Sequence, residues 1–191
     1  MSDVAARRPR LDREAVLEAA ESVVAEDGWA ALTMAAVAAR AGVRVPSLYH
    51  HVGTLDELRS RLQVRTMRRL SDALRDAAMG RTGVDGLVAL GEAQRAFAGE
   101  HRELYLGATT EPLDRTAYFA AALPGLGAFL AVIGKPLEDP DAVAAAVACF
   151  AAFHGPVSLE CAGFFGDDAD PGAAFATVLR AVAEEITRRH L

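Results

Sequence analysis

The sequence predicts an all-α protein on three observations. Its hydrophobic content is 52% while only 6% of its residues are aromatic, alanine carrying much of the difference, and alanine is the strongest helix former. No segment alternates apolar and polar residues as a half-buried strand does, and no repeat is visible. Apolar residues recur instead at helical spacing, most plainly Phe175, Val178, Leu179, Val182 and Ile186. The 191 residues are enough to bury a proper core in one large domain or in a small one joined to a larger.

The elements follow in order. Asp12 is a candidate N-cap for a first helix with Ala15, Val16, Ala19, Ala20, Val23 and Val24 on its apolar side, and Gly28 ends it. Thr33 caps a second helix, in which Met34, Val37, Ala38 and Ala41 fall at helical spacing until Gly42 stops it. Pro46 suits the first turn of a third, where its missing N–H is no loss, and Gly53 closes that one near Val52. Thr54 and Glu57 read as a capping box, hydroxyl and carboxylate each serving the other's backbone amide. The long fourth helix they open has Leu55, Leu58, Leu62, Leu70 and Leu74 as core positions. Beyond the turn-rich stretch Ala78 to Gly86, further helices are expected at about 85–99, 101–109, 114–134, 140–164 and 171–189, the last two opened by Asp139-Pro140 and Asp170-Pro171. The domains are read as 1–54, with a basic arm at 1–11, and 55–191.

Composition narrows the function. Cys149 and Cys161 fit neither a CxxC site nor a disulfide framework, which points to a reducing compartment. The N-terminal residues lack the apolar core of a signal peptide. Ala142 to Leu159 is an 18-residue stretch without Asp, Glu, Lys or Arg. It nevertheless contains His154, Gly155, Pro156 and Ser158 and is rich in alanine, so a buried helix is expected there and not a membrane span. The net charge of −6 is unevenly placed: residues 1–70 hold 11 arginines against 9 acidic residues, and residues 71–191 hold 9 basic residues against 17 acidic ones. An anionic partner would therefore meet the N-terminal part.

That part carries a helix-turn-helix pattern. Such a unit needs a small residue where its helices cross, a glycine in the turn and an apolar anchor on the second helix. Ala38, Gly42 and Leu48 meet these needs. With Leu48 inward, Arg44, Val45, Pro46, Ser47, Tyr49 and His50 present outward on a recognition helix, whose N-terminal residues enter a major groove. Arg44 and Ser47 are the candidates for base edges, Arg44 most naturally for guanine. Tyr49, His50 and the helix starts at Thr33 and Thr54 suit phosphate oxygens, and Arg7, Arg8 and Arg10 could add backbone or minor-groove contacts. The lesser reading of Tyr49 is a packed aromatic. Arg61, Arg65 and Arg68 are better read as a solvated or interdomain face than as a second DNA stripe. His50 and His51 diverge by about 100° on a helix and do not chelate together, and no metal or other cofactor is expected.

The run from Leu11 to Leu58, LDREAVLEAAESVVAEDGWAALTMAAVAARAGVRVPSLYHHVGTLDEL, resembles the N-terminal DNA-binding domain of the tetracycline-repressor (TetR) family. The resemblance lies in the Asp-Gly helix end, Leu32-Thr33-Met34, Ala38, Gly42-Val43 and Leu48-Tyr49-His50-His51. One position departs: Leu55 stands where many members have a lysine. Further on, Phe97, Ala98, His101, Leu104 and Tyr105, together with Phe153-His154-Gly155, resemble a C-terminal domain type of the same family described by a Trp-His-Gly signature. The resemblance implies a homodimer built by the last two helices, about 140–164 and 171–189, and a ligand cavity among the helices before them.

For that cavity the candidates are Phe97, Tyr105, Tyr118, Phe119, Phe129, Phe150 and His154, with Thr109 or Thr110 as orienting groups, since ligand pockets combine apolar walls with a few polar ones. Pro156 removes a helical hydrogen bond and predicts a kink after Gly155. Catalysis is not expected. Cys149 and His154 lie about 140° apart around a helix, and no phosphate loop or nucleophile elbow occurs. The sequence thus predicts a cytoplasmic, bacterial, ligand-responsive regulator that binds a palindromic double-stranded DNA operator, most simply as a repressor. The alternative is a helical small-molecule- or partner-binding protein that no longer recognises DNA.

Overall fold

The computed structural model describes residues 11–166 and 170–190. The arginines expected to form a basic arm, Arg7, Arg8 and Arg10, lie outside the described residues. Nine α-helices and one 3₁₀ turn make up the described chain, with no strand among them. It divides into two compact units, Met1–Leu62 and Gln63–Leu191.

The N-terminal unit begins with α1 (Arg13–Asp27), where the Asp12 carboxylate accepts from Ala15 N at 2.9 Å. Gly28 ends it, and a 3₁₀ turn at Trp29–Ala31, which the sequence did not predict, leads to Leu32. The Thr33 hydroxyl caps α2 (Met34–Ala41) by accepting from Ala36 N at 3.1 Å. Gly42 then takes the left-handed conformation, φ +67°, which a residue with a Cβ adopts only at a cost. Helix α3 is Val45–Val52, with Pro46 in its first turn. Val16, Ala20, Val24, Leu32, Val37, Leu48, Val52, Leu58 and Leu62 are fully buried and form this unit's core.

Helix α4 runs unbroken from Leu55 to Ala78. The division between the units falls inside it, eight residues beyond the expected end of the first domain at residue 54 and well before the turn-rich stretch Ala78 to Gly86, and Leu58 and Leu62 lie in the N-terminal unit. Only half of that box forms. Thr54 Oγ1 accepts from Glu57 N at 3.1 Å, while the Glu57 carboxylate accepts from Arg61 one turn later.

The C-terminal unit adds α5 (Gly83–Glu100), α6 (Arg102–Ala108), α7 (Arg115–Ile133), α8 (Pro140–Cys161) and α9 (Pro171–His190). Helix α5 packs against both α8 and α9, and α7 packs against α8. The central contact depends on Gly91: a Cβ there would stand 2.3 Å from Leu179 Cδ1 and 3.2 Å from the Phe153 ring. Helix α7 passes through Pro124 and α8 through Pro156 without interruption. Both are long and apolar enough to cross a bilayer by length and composition alone. In this fold they contribute Ala121, Phe129, Ile133, Ala146, Cys149 and Phe153 to the buried core of the bundle.

Candidate nucleic-acid interface and effector cavity

The turn and the two short helices around it carry the residues predicted to face DNA. Leu48 is fully buried, which holds α3 against its unit, while Arg44, Pro46, Tyr49 and His50 are exposed and Val45 and Ser47 are half-buried. Tyr49 is 52% exposed, so the packed-aromatic reading does not hold. Thr33 and Thr54 are exposed too. Each uses a hydroxyl lone pair to cap its helix, which leaves the hydroxyl proton for an outside acceptor such as a phosphate oxygen.

The arginines of this unit differ in what holds them. Arg40 forms a two-point ion pair with Glu26, its Nη1 at 2.6 Å from Oε1. That bond holds the Glu26 carboxyl below the usual range and raises the Arg40 guanidinium further. Arg13 donates to His51 O at 3.3 Å, Arg59 pairs with Asp56 and Arg61 with Glu57. Among the described residues nothing pairs with Arg44. It stands at the N-cap of α3, where no side chain caps the helix. Its guanidinium thus carries five donors at the start of α3 with no partner among the described residues. Leu55, at the position of the missing lysine, is half-buried.

In the C-terminal unit a cavity of about 310 Å³ opens between α4, α7 and α8. Tyr118, Phe119, Phe129 and Phe150, all candidates from the sequence, line it together with Met67, Ser71, Leu74, Gly125 and Val147. The other five candidates, Phe97, Tyr105, Thr109, Thr110 and His154, are not in its wall. Phe97 packs edge-on against His101, with ring centres 4.8 Å apart. Thr109 returns its hydroxyl to Tyr105 O at 2.8 Å. Tyr105 is fully buried, its hydroxyl 2.7 Å from His154 Nδ1 and taking a bond from Gln94 Nε2 at 3.0 Å. His154 thus has the partner that an imidazole within an apolar helix needs. It also stacks on Phe150, and burial lowers its pKa while raising that of Tyr105.

Three polar residues escaped the sequence reading. Ser71 is buried and donates to Ala121 O at 2.8 Å, and Gln94 is the centre of the Tyr105 cluster. Gln63 binds the connection between α6 and α7: its Nε2 lies 3.3 Å from Gly107 O, Thr110 Oγ1 and Glu111 O, and its Oε1 accepts from Leu113 N at 3.1 Å. Gln63 stands seven residues before Leu70 and Ser71 three before Leu74, spacings that put both on the buried face of α4 without indicating their distant partners. Cys149 is buried with its thiol pushed up to about 12, and Cys161 donates weakly to Ala98 O. Among the described residues no group of three or more His, Cys, Asp or Glu could hold a metal ion.

Residues 16–62 match bacterial regulatory proteins of the tetR family, and residues 87–182 match a tetracyclin repressor-like C-terminal domain. The chain belongs to the tetR family. It is similar to an HTH-type transcriptional regulator of Mycobacterium tuberculosis, 33% identical over 96% of this chain and 85% of the relative. Among solved structures, the regulatory protein SCO4313 shares 25% identity at a TM-score of 0.74, covering 89% of this chain and 94% of that one. A TetR variant from Acinetobacter baumannii, solved with minocycline, shares the fold at 20% identity and a TM-score of 0.72, covering 95% of this chain and 99% of its own. The tetR-family assignment makes the chain a DNA-binding transcriptional regulator, and Ala38, Gly42 and Leu48 make the helix-turn-helix of its N-terminal unit.

Proposed function

We propose that the protein is a homodimeric repressor that leaves a palindromic operator when a small apolar or amphipathic molecule enters the C-terminal cavity. The observation that carries the reading is the unpaired Arg44 at the head of an anchored α3, in a unit whose other described arginines are held internally. Arg44 and Ser47 read bases, and Val45 and Pro46 line the approach. Tyr49, His50, Thr33 and Thr54 hold phosphates. Tyr118, Phe119, Phe129 and Phe150 bind the effector.

Dimerisation is supported by an exposed apolar stripe along α8. Ala144, Val147, Ala148, Ala151, Gly155 and Leu159 follow one another at helical spacing without a charge. Joined to the exposed Ala173, Ala174, Thr177 and Ala181 of α9, it suits a four-helix interface about a twofold axis. Two copies then present two recognition helices, which is why the operator is expected to be an inverted repeat. An effector releases DNA by fitting the non-binding arrangement better than the binding one. The protein works in the cytoplasm and no catalytic step is proposed.

Selection of bound duplexes from a random library by the purified protein tests the reading. An enriched inverted repeat, bound more weakly as salt rises, is the expected result. No enrichment from folded, effector-free protein would overturn it, and a monomer at micromolar concentration in light scattering would overturn the dimer.

A further inference from the structure

The cavity between α4, α7 and α8 also indicates what class of molecule fills it, an inference that rests on its being the effector site. No Asp, Glu, Lys, Arg or His lies in its wall. An ionised group carried inside would lose its hydration without gaining a counter-charge, which excludes a fully enclosed carboxylate or ammonium. The space is about 310 Å³. An engineered cavity of about 150 Å³ accepts benzene, so the volume suits roughly twice that, about 12 non-hydrogen atoms. Tyr118, Phe119, Phe129 and Phe150 supply aromatic faces against which a ring packs well.

Only two side chains in the wall carry hydroxyls, and both have their proton engaged. Ser71 donates to Ala121 O and Tyr118 donates to Ala108 O, each at 2.8 Å. A hydroxyl has one proton and two lone pairs, so what remains for a ligand is acceptor capacity. Burial raises Tyr118 to about 12, which keeps its proton in place. A ligand ether or carbonyl oxygen would face lone pairs or draw the Ser71 proton away from Ala121, whereas a ligand O–H finds an acceptor waiting. We infer that the cavity selects a neutral, ring-bearing molecule of the phenol class that donates one hydrogen bond to Ser71 Oγ.

A competing arrangement exists at the mouth. Phe119 is 52% exposed there, and the Arg115 guanidinium stands 5.2 Å above its ring. An amphipathic acid could leave its carboxylate outside beside Arg115 and insert only its tail. The two arrangements differ in which headgroup wins.

Calorimetric titration of the full-length protein with para-pentylphenol, its methyl ether and para-pentylbenzoate separates them. The phenol is expected to bind about tenfold more tightly than the ether, the value of one added hydrogen bond, and the benzoate more weakly than either. Ser71→Ala should bring the ratio of phenol to ether affinity close to one. That ratio is insensitive to general loosening, which weakens both ligands together. An ether or benzoate that binds as well as the phenol, or a phenol preference that survives Ser71→Ala, would overturn the inference while leaving the cavity as the effector site. Ala122, on α7, also lines the cavity, and Ala122→Phe, which fills the space, should abolish all three. Binding untouched by that substitution, or no binding of any of the three to the wild-type protein, would overturn the reading of the cavity itself and this inference with it.

Discussion

In the N-terminal unit the residues that build the fold and the residues proposed to face DNA are different sets. Leu48 and Val52 are buried while Arg44, Tyr49 and His50, on the same short helix or at its cap, are exposed. In the C-terminal unit the two sets coincide: Phe129 and Tyr118 belong to the buried core and also line the cavity. The difference has a physical origin. A groove of DNA is read by side chains that leave the protein surface, whereas a small apolar molecule is bound by completing an interior that was left short of atoms. Function should therefore be separable from stability in the first unit and inseparable in the second.

Phe129→Ala is the largest expected effect and the direct test of inseparability. Removing a fully buried ring that meets Phe153 at 6.3 Å should cost about 3–5 kcal/mol of stability. It should also change the affinity for any cavity ligand, because the same ring bounds the space. Chemical denaturation and calorimetry on one preparation would show both. A variant of normal stability with altered ligand binding would break the comparison.

Arg44→Ala is the opposite case. It should weaken operator binding by about 1–3 kcal/mol and relax selectivity at one base pair, with stability within about 0.5 kcal/mol of the parent, since nothing inside the described protein holds that guanidinium. Fluorescence anisotropy against operator variants and a thermal melt measure the two quantities. Gly42→Ala lies between them. A Cβ at this position meets no atom within 4 Å, so the cost is the left-handed φ alone, about 1 kcal/mol, and it should appear in stability with operator contacts otherwise intact.

The same contrast explains what the sequence made legible. Caps and stops are local chemistry, and so Asp12, Thr33 and Asp139 cap where the spacing put them and Gly28, Gly42 and Gly53 stand just past helix ends. The set proposed to face DNA could be picked out because one buried anchor, Leu48, orients its neighbours. Within α7 and α8 periodicity could say little, because apolar residues occupy most of their circumference and no polar face marks the outside. Phe97 and Phe129 look alike in sequence; only the packing puts one against His101 and the other at the cavity. Ser71 and Gln63 were hidden for a related reason. Each satisfies backbone groups about 40 to 50 residues away, which no local rule anticipates.

The smallest effect expected is a dependence of stability on pH that originates at His154. Its Nδ1 can accept a hydrogen bond from the Tyr105 hydroxyl only while the ring is neutral, and burial lowers its pKa below the ordinary 6.5. The unfolded chain then binds the proton more readily than the folded one. His154 thus contributes stability that is full above the unfolded value and is lost as pH falls from there through the lower folded value. The cluster has one way to adapt. Gln94 Oε1 is buried and has no hydrogen-bond partner, so turning the amide would let it accept from Tyr105, whose oxygen could then accept from a protonated His154. Denaturation midpoints for the wild type and His154→Phe, compared at about pH 7.5 and about pH 5.5, isolate this contribution from the other histidines. The wild type should lose more than the variant on acidification. Equal losses would mean that the turned amide compensates fully, and Gln94→Leu, which removes that option, should then restore the difference.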